Sequence, residues 1–346
     1  MTMSVQTHEN LPYPVLVADI GGTNARFGIL TDTHAELKEF ETAKTADFAG
    51  LEEAAEAMVL SRTAIIPRSA VLAIAGPING EEVPLTNCHW VIRPNVLMQA
   101  LELEEVVLVN DFEAQSLALP SLEDSDLQII GDVAMSEVGT KVVVGPGTGL
   151  GAAGMIHTGA LWVPVPGEGG HIDLGPVTEE EFELWPHFEK EHGRISAEAL
   201  LCGRGLVRLY NGVASWRGRP AELSDPSAIT SAALAGSDDI AEESLHIFCR
   251  LLGRVAGNLA LAFMAKGGVY LAGGISQKIA GFLAKSEFRS AFIAKAPHEA
   301  LMDEMATAII THEKPALLGL AAFARTPQLF GVDLNGRRFS ATESDG

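Results

Sequence analysis

The chain has 346 residues, of which 47% are hydrophobic, and its formal net charge at pH 7 is -21. Since this length and apolar content exceed what one compact core normally holds, we expect two domains. The negative charge is repelled by nucleic-acid backbones and by anionic membrane surfaces, and no basic cluster offsets it. Composition therefore argues against nucleic acids and membranes as partners.

Cysteine usage and the first residues bear on the cellular compartment. Cys88, Cys202 and Cys249 are scattered and odd in number, without the close pairs that hold zinc or build a disulfide framework. Residues 1–14 are polar and show no leader-like apolar core, and no uninterrupted apolar stretch has membrane-spanning length. We therefore expect a soluble, unexported protein of the reducing cytoplasm.

Apolar periodicity along the chain alternates between β-type and helical segments. Five β-type runs stand out: 15–18, 71–75, 106–109, 142–144 and 269–272. Helical segments separate them, among them 51–60 and a long amphipathic stretch that we expect to end at Gly267 and Gly268. This alternation predicts an α/β protein.

The segment DIGGTNAR, which begins at Asp19, is predicted to form a strand, a tight turn and a second strand. Gly21 and Gly22 lack the Cβ atoms that would keep a ligand off the backbone, so peptide N–H groups can face phosphate oxygens. Thr23 and Arg26 add further donors, and Asp19 could position a hydrated Mg²⁺. The alternative is an ordinary hairpin connection.

A second glycine turn of the same type, GPGTGLG, follows the run 142–144 and strengthens the phosphate interpretation of both turns. Within it, residues 149–154 also have the glycine spacing of a dinucleotide-binding motif. That motif requires a helix directly after the glycines, whereas two prolines and β-type residues follow here. We therefore reject an NAD site.

Two polar residues, Asn110 and Asp111, come directly after the run 106–109, at the end of a strand where α/β sites collect. The Asp could accept a proton from a substrate hydroxyl that attacks phosphorus, and the Asn could orient that hydroxyl. Both residue types also cap helices, so capping of the following helix is the competing interpretation.

Glycines hold Glu168 and His171 on a predicted loop, GEGGH. A carboxylate and an imidazole together offer the acceptors and the donor that neighbouring sugar hydroxyls require. The alternative is a metal site formed by His171 and Asp173, but the neighbouring sequence offers no third ligand. Glu198 taken alone reads as a solvent-facing helix residue.

Gly273 and Gly274 follow the run 269–272 and predict a strand-to-helix turn. A flat ligand could lie against such a turn. The alternative is a plain connection between the strand and the next helix.

Eight segments taken together resemble the bacterial glucokinase family, and their order is more specific than any one of them. They are DIGGTNAR, AIAGPI, LTNCHW, VNDFEA, GPGTGLG, GEGGH, ISAEALLCGRGL and LAGGI. This family belongs to the sugar kinase, actin and Hsp70 superfamily. The resemblance therefore implies an α/β, two-domain actin-like ATPase fold, of the ribonuclease H-like type, with an interdomain cleft.

The resemblance also implies a role for individual residues. The implied nucleotide-binding positions are Asp19, Gly21, Gly22, Thr23, Asn24, Gly147, Thr148, Gly149, Gly273 and Gly274. The implied sugar-binding positions are Asn110, Asp111, Glu168, His171 and Glu198. Among these, Asp111 is implied to be the catalytic base.

The implied activity is that of a glucokinase, which uses ATP and Mg²⁺ to phosphorylate D-glucose to glucose 6-phosphate and so feeds glycolysis. The resemblance further implies a homodimer, a small domain of residues 1–121 with 312–346, and a large domain of residues 122–311. Three alternatives stay open: a kinase for another hexose, a catalytically silent sugar sensor, and a filament-forming ATPase that would not need the sugar contacts.

Two departures from the family pattern are expected to leave the chemistry untouched. Residues 201–205 read LCGRG where relatives commonly show SGPG, and both ends carry polar extensions. The GEGGH loop is not followed by the cysteine-rich zinc motif of the related ROK sugar kinases. We therefore place the chain outside the ROK group.

Overall fold

A computed structural model describes residues 8–76, 78 and 80–341. Pro77 of the AIAGPI segment, and the outermost residues of both terminal extensions, lie outside this part. The strands, in chain order, are β1 Val15–Ile20, β2 Asn24–Leu30, β3 Lys38–Glu39, β4 Ala43–Lys44, β5 Ser69–Ile74, β6 Val83–Pro84, β7 Val91–Ile92, β8 Glu105–Asn110, β9 Leu127–Ile130, β10 Lys141–Pro146, β11 Leu150–His157, β12 Trp162–Gly167, β13 Val269–Leu271, β14 Thr307–Ile310 and β15 Arg338–Ser340.

The α-helices are α1 Leu51–Met58, α2 Pro94–Leu101, α3 Asp111–Ala118, α4 Glu179–Leu184, α5 Ala197–Leu200, α6 Gly203–Trp216, α7 Pro226–Ala235, α8 Asp239–Phe263, α9 Gly273–Lys278, α10 Ala280–Leu283, α11 Phe288–Ile293, α12 Glu299–Asp303 and α13 Pro315–Arg325. Short 3₁₀ turns span Thr45–Asp47, Leu60–Arg62, Leu119–Ser121, Asp124–Asp126, Gly169–His171, Trp185–His187 and Pro327–Leu329.

The five predicted β-type runs form β1, β5, β8, β10 and β13. The residues after Gly154 continue strand β11 and then form β12, which confirms that no dinucleotide-binding helix follows the glycines. The predicted end of the long helix was wrong by a few residues. Helix α8 ends at Phe263 because Met264 takes a left-handed conformation, with φ 50°, before the two glycines are reached.

The chain divides into two compact units. The first comprises Met1–Leu122, Met155–Pro166 and Glu313–Gly346, and the second comprises Glu123–Gly154 and Gly167–His312. Each unit buries its own cluster of apolar side chains.

The sheet of the first unit has the strand order β15-β8-β5-β1-β2-β3, with β4 also paired to β2. Strands β1, β5 and β8 are parallel, and their register aligns Ile20 with Ile74 and Ile74 with Asn110. Carboxyl ends of parallel strands lie at one edge of a sheet. The first glycine turn and the Asn110–Asp111 pair therefore lie at the same edge, two strand spacings or about 10 Å apart.

Helix α13 returns to the first unit and packs directly against α3, the helix that begins at Asp111. An ideal Cβ on Gly319 of α13 would lie 2.7 Å from the Ala118 nitrogen and closer still to the Ala114 carbonyl oxygen of α3. Only glycine at this crossing lets the two backbones approach so closely. The close packing fixes the helix that carries Asp111.

A six-stranded sheet has the order β12-β11-β10-β13-β14-β9. Strands β10, β13 and β14 are parallel, with Val144 aligned to Leu271 and Leu271 to Ile309. Because β10 and β13 are neighbours, the second glycine turn after β10 and the Gly273 turn after β13 lie at the same edge.

By length and composition alone, the described residues include one helix that could cross a membrane, which is α8. Within α8, 67% of the most apolar 18-residue stretch is buried inside the protein. Core helices of globular proteins pass the same test, so this helix is weak evidence for a membrane span.

Lys141 is buried at the start of β10. Its Nζ atom donates 2.9 Å to the Tyr270 hydroxyl and 2.5 Å to the Ser136 carbonyl oxygen. Burial lowers the pKa of Lys141 to about 8. In the unfolded chain this lysine has its ordinary pKa of about 10.4. Between these two values the unfolded state binds more protons than the folded state, so stability contributed through Lys141 rises with pH.

We expect wild type to gain stability relative to Lys141→Met as the pH rises from about 8 to about 10, by at most about 1.4 kcal/mol per pH unit. Urea unfolding of both proteins at several pH values measures this difference. Parallel stability curves for the two proteins over that range would show that Lys141 keeps its ordinary pKa in the folded state.

Candidate active site

The first glycine turn has its carbonyl groups bound by the protein. Gly21 N–H donates to the Asn24 carbonyl across the turn, at 2.9 Å. The buried Thr45 donates its hydroxyl to the Gly22 carbonyl and its N–H to the Thr23 carbonyl, each at 3.0 Å. No described residue accepts a hydrogen bond from the Gly22 or Thr23 N–H. Two adjacent amides are thus left to bind an anion.

The backbone of the LTNCHW segment packs against this turn. A Cβ on Gly22 would lie 3.1 Å from the Asn87 carbonyl oxygen and 3.3 Å from that of Thr86. Thr86 in turn donates its N–H to the Ala75 carbonyl at 2.9 Å. Two other segments of the family pattern therefore support the turn, and a side chain at position 22 would be tightly packed against the Thr86–Asn87 backbone.

Asp19 and Arg26 form an ion pair across β1 and β2, with 2.8 Å between Nη1 and Oδ2. The Asp19 side chain is only 14% exposed. Burial raises the pKa of Asp19 above its ordinary value, and the neighbouring Arg26 opposes that rise. The sequence assigned Arg26 to phosphate, whereas here its guanidinium is bound to Asp19.

No group of three His, Cys, Asp or Glu side chains in the described residues is arranged to hold a metal ion. This excludes a metal cage built wholly from such side chains within that part of the chain. It is compatible with Mg²⁺, which keeps several waters and binds through one or two carboxylates plus substrate phosphates. Asp19, on the strand that leads into a free-amide turn, is a suitable single carboxylate.

Asn110 and Asp111 start helix α3, and Asn110 does cap it. Asn110 Oδ1 accepts from Phe112 N–H at 3.0 Å and from Glu113 N–H at 3.4 Å, while Asn110 N–H donates to the Glu113 carboxylate at 3.2 Å. Asp111 Oδ1 accepts from Phe112 N–H at 2.9 Å. Capping and catalysis are compatible, because the capping box uses Asn110 and Glu113 and fixes the position of Asp111.

The buried ion pair that supports Asn110 and Asp111 is not apparent from local sequence pattern. Glu113 is almost wholly buried, and burial raises the pKa of its carboxyl group against the influence of Arg337. Arg337 Nη1 lies 2.8 Å from Glu113 Oε2. The ion pair joins residues 224 apart in the chain, which no local pattern reveals.

The second glycine turn resembles the first in its hydrogen bonding. Gly147 N–H donates to the Gly149 carbonyl at 2.8 Å, and the Gly147 carbonyl accepts from Gly203 N–H at 2.9 Å. The Thr148 and Gly149 amides have no acceptor within the described chain. The turn therefore presents two adjacent N–H groups, as the first turn does.

The contact from Gly203 corrects one prediction. Residues 201–205, which depart from the family pattern, were expected not to touch the proposed chemistry. Gly203 begins helix α6, and its N–H binds the phosphate-type turn directly. The departing segment is thus part of the support of that turn.

Glu198 is the second residue of α5, whose Ser196 cap accepts from Ala199 N–H at 3.2 Å. Its carboxylate Oε2 accepts from Leu150 N–H at 2.8 Å. The side chain is partly buried. Glu198 therefore lies against the second glycine turn and is not a simple solvent-facing residue.

Glu168 and His171 are close to each other on the GEGGH loop. Glu168 Oε2 lies 3.7 Å from His171 Nε2, and the side chains are 89% and 51% exposed. Arg194 Nη1 donates to the His171 carbonyl at 2.7 Å and to Asp173 Oδ1 at 2.6 Å. Asp173 is thus paired with arginine, and both ligand candidates present their polar atoms to solvent.

The GEGGH loop also packs on the second glycine turn. A Cβ on Gly170 would collide with the Leu150 carbonyl oxygen. Ala197 N–H donates to the Ile172 carbonyl at 2.9 Å, which ties the loop to the start of α5. Glu168, His171 and Glu198 are therefore carried by segments that meet at Leu150.

Gly273 and Gly274 open helix α9, as the sequence predicts. Gly273 has φ +81°, and a Cβ there would collide with the Pro146 carbonyl oxygen just before the second glycine turn. Gly274 is exposed, with open space above its Cα. The two motifs thus form one continuous glycine-rich surface in the second unit.

Comparison with known proteins identifies the family. A family model described as Glucokinase matches residues 16–327. The chain belongs to the glucokinase family. Among the curated relatives of this family, the glucokinase of Rhizobium etli is 54% identical over 329 residues, which cover 95% of this chain and 96% of the relative. That of Sinorhizobium medicae is 53% identical, covering 96% of this chain and 98% of the relative.

Solved glucokinase structures agree with the fold. One from an Antarctic psychrotroph is 34% identical and superposes with a TM-score of 0.81, covering 89% of this chain and 98% of that one. A ROK family glucokinase from Streptomyces griseus, in complex with glucose and AMPPNP, has a TM-score of 0.61 at 20% identity, covering 90% and 99%. At that identity the likeness concerns the fold alone. Together they confirm the α/β, actin-like ATPase fold.

Proposed function

We propose that this chain is an ATP-dependent glucokinase, which transfers the γ-phosphoryl group of ATP to the 6-hydroxyl of D-glucose. The observation that carries the proposal is the match to the glucokinase family across residues 16–327. The relatives named glucokinase, alike over nearly their whole length, support it. The glucokinase of Balamuthia mandrillaris, whose crystal structure is a complex with glucose, has a similar fold and also supports the proposal.

The nucleotide phosphates are assigned to the two glycine turns. Free amides at Gly22, Thr23, Thr148 and Gly149 supply N–H donors without any side-chain charge. The assigned positions are Asp19, Gly21, Gly22, Thr23, Asn24, Gly147, Thr148 and Gly149, with Gly273 and Gly274 for the adenosine. Gly21 and Gly147 act by shaping the turns, because their own N–H groups are used within them.

Mg²⁺ is the proposed companion of ATP, with Asp19 holding it indirectly through water. When bound with ATP, the ion supplies charge neutralisation at the β- and γ-phosphate oxygens. Burial raises the pKa of Asp19, and the ion pair with Arg26 opposes that rise because the guanidinium favours the charged carboxylate.

Glucose is assigned to Asn110, Asp111, Glu168, His171 and Glu198. The exposed Glu168 and His171 and the partly buried Glu198 offer acceptors and a donor to sugar hydroxyls. A site of this type rejects an epimer because a misplaced hydroxyl leaves a polar group unpaired.

Asp111 is the proposed general base. Its carboxylate takes the proton of the 6-hydroxyl as the sugar oxygen forms its bond to the γ-phosphorus, and the bond from that phosphorus to the bridging oxygen of ADP breaks. The capping box at Asn110 and Glu113 holds Asp111 in place for this step. Phosphoryl transfer asks the protein mainly for positioning and charge stabilisation, which the turn amides supply.

The wider setting is proposed from the family resemblance. It comprises a cytoplasmic enzyme of glycolysis that acts as a homodimer without nucleic-acid or membrane partners. The proposed domains are residues 1–121 with 312–346, and residues 122–311. The compact units support these limits, except that residues 155–166 cluster with the first unit.

A sugar panel tests the proposal. Purified protein with Mg-ATP is assayed for ADP formation alone and with glucose, fructose, mannose, galactose or N-acetylglucosamine. Strong and selective stimulation by glucose is expected. Stimulation by another hexose would keep the kinase chemistry and overturn the substrate, and stimulation by no sugar would overturn the proposed function.

A further inference from the structure

We infer that Glu198 holds the second glycine turn in its nucleotide-binding conformation, in addition to binding the sugar. This positioning role rests on the proposed function, because the ligand of that turn is the nucleotide phosphate. It predicts that Glu198 affects nucleotide binding even when no sugar is present.

The first observation is the position of the carboxylate. Oε2 of Glu198 accepts at 2.8 Å from the N–H of Leu150, which follows Gly149 in the GPGTGLG segment and begins β11. A Cβ on Gly149 would lie 2.5 Å from the same oxygen. The carboxylate therefore covers the Gly149–Leu150 peptide and fixes the direction of its N–H group.

The second observation is that the same segment binds the other end of the turn. Gly203, five residues after Glu198, donates its N–H to the Gly147 carbonyl at 2.9 Å. Arg208 of α6 donates to the Ala199 carbonyl and so attaches the short helix α5 to a longer one. Both ends of the turn are thus held by one anchored segment, which leaves the Thr148 and Gly149 amides free for phosphate.

The third observation is that the two oxygens of the Glu198 carboxylate differ in their hydrogen bonding. Among the described residues, Leu150 N–H alone hydrogen-bonds this carboxylate, and it does so through Oε2 and not Oε1. Oε1 is therefore available to a sugar hydroxyl while Oε2 supports the turn. Glu168 differs, since its side chain is 89% exposed and its carboxylate lies 3.7 Å from the His171 imidazole.

The test measures binding of AMPPNP with Mg²⁺ by titration calorimetry in the absence of sugar. Glu198→Ala removes the acceptor of Leu150 N–H, and we expect its dissociation constant to rise at least about fivefold. Glu198→Gln keeps an oxygen that can accept this bond, so its constant should stay within about twofold of wild type. The matched control Glu189→Ala removes an exposed carboxylate of the same unit and should change nothing.

Glucose binding by the same proteins provides the contrast. Glu198→Gln should weaken glucose binding, because the amide replaces a charged acceptor, while it spares the nucleotide. If Glu198→Ala binds AMPPNP like wild type, the positioning role is wrong and Glu198 serves the sugar alone.

Folding of each variant is checked by thermal unfolding. If Glu198→Ala does not fold, Glu198→Asp replaces it, because the shorter side chain keeps the charge but withdraws the oxygen from Leu150. Unchanged AMPPNP binding by Glu198→Asp would then overturn the inference. If wild type itself binds no AMPPNP, the proposed function fails and the inference falls with it.

Discussion

Asp111→Ala is expected to lower kcat for glucose by at least about 10²-fold, since general-base catalysis typically contributes about 10²–10⁴ in rate. Glucose binding should largely persist, because Asn110, Glu168, His171 and Glu198 remain. Loss of kcat with little change in binding is the signature of an interaction made in the transition state.

Asp111→Asn is the sharper variant for this purpose. An asparagine keeps the size of the side chain and an oxygen that can accept from Phe112 N–H, the bond that Asp111 Oδ1 forms at 2.9 Å. Helix α3 should therefore start unchanged, and only the proton acceptor is lost. Steady-state kinetics with a calorimetric measurement of glucose binding decide the matter. Near-normal turnover in either variant would exclude Asp111 as the base.

The second large effect is expected on stability, at the crossing of α3 and α13. Gly319→Ala should lower the free energy of unfolding by about 2 kcal/mol or more, because its methyl group would meet the backbone of α3 at Ala114 and Ala118. Neither helix can yield easily, since both are buried along this face. A shift of α3 would also move Asp111.

Gly281→Ala is the matched control, since Gly281 is also helical but exposed, with nothing within 4 Å of an added Cβ. Alanine there should be neutral or should stabilise by roughly 0.5–1 kcal/mol. Urea unfolding followed by circular dichroism compares the two variants with wild type. Equal stability of both variants would show that the two helices are not packed as closely as described.

Local pattern was sufficient for much of the fold. The apolar runs before Asp19, Asn110 and Gly147 are short and flanked by glycine or polar residues, so they predict strands with their ends at a ligand. No single motif specifies the actin-like fold. It was predicted from the resemblance to the glucokinase family, which rests on the order of all eight segments. The end of α8 was missed because a left-handed Met264, which propensity does not favour, stops the helix before its glycines.

The support of the site was not predictable from local pattern. Thr45 binds the carbonyls of the first turn from a segment with no motif, and Arg337 reaches Glu113 from the far end of the chain. Gly203 was dismissed as part of a neutral departure, although its N–H binds Gly147. Each contact depends on tertiary packing between distant residues, which periodicity and spacing do not encode.

Local sequence pattern predicts that Glu198 is a surface residue, whereas the family resemblance predicts that it is a sugar ligand. The structure adds the bond to Leu150, which neither source contains. One signal was present in the sequence, because Gly149 leaves no Cβ in the space that the carboxylate occupies. The reason for glycine at position 149 can be recognised only once Glu198 is known to lie against it.

Product identification decides whether this chain phosphorylates the 6-hydroxyl of glucose with ATP. Purified protein, Mg-ATP and ¹³C-labelled glucose are incubated, and the product is examined by ³¹P and ¹³C NMR. We expect one ADP for each glucose consumed and a phosphoester at carbon 6. ADP release with unmodified glucose, or a phosphoester at another carbon, would contradict the proposed function.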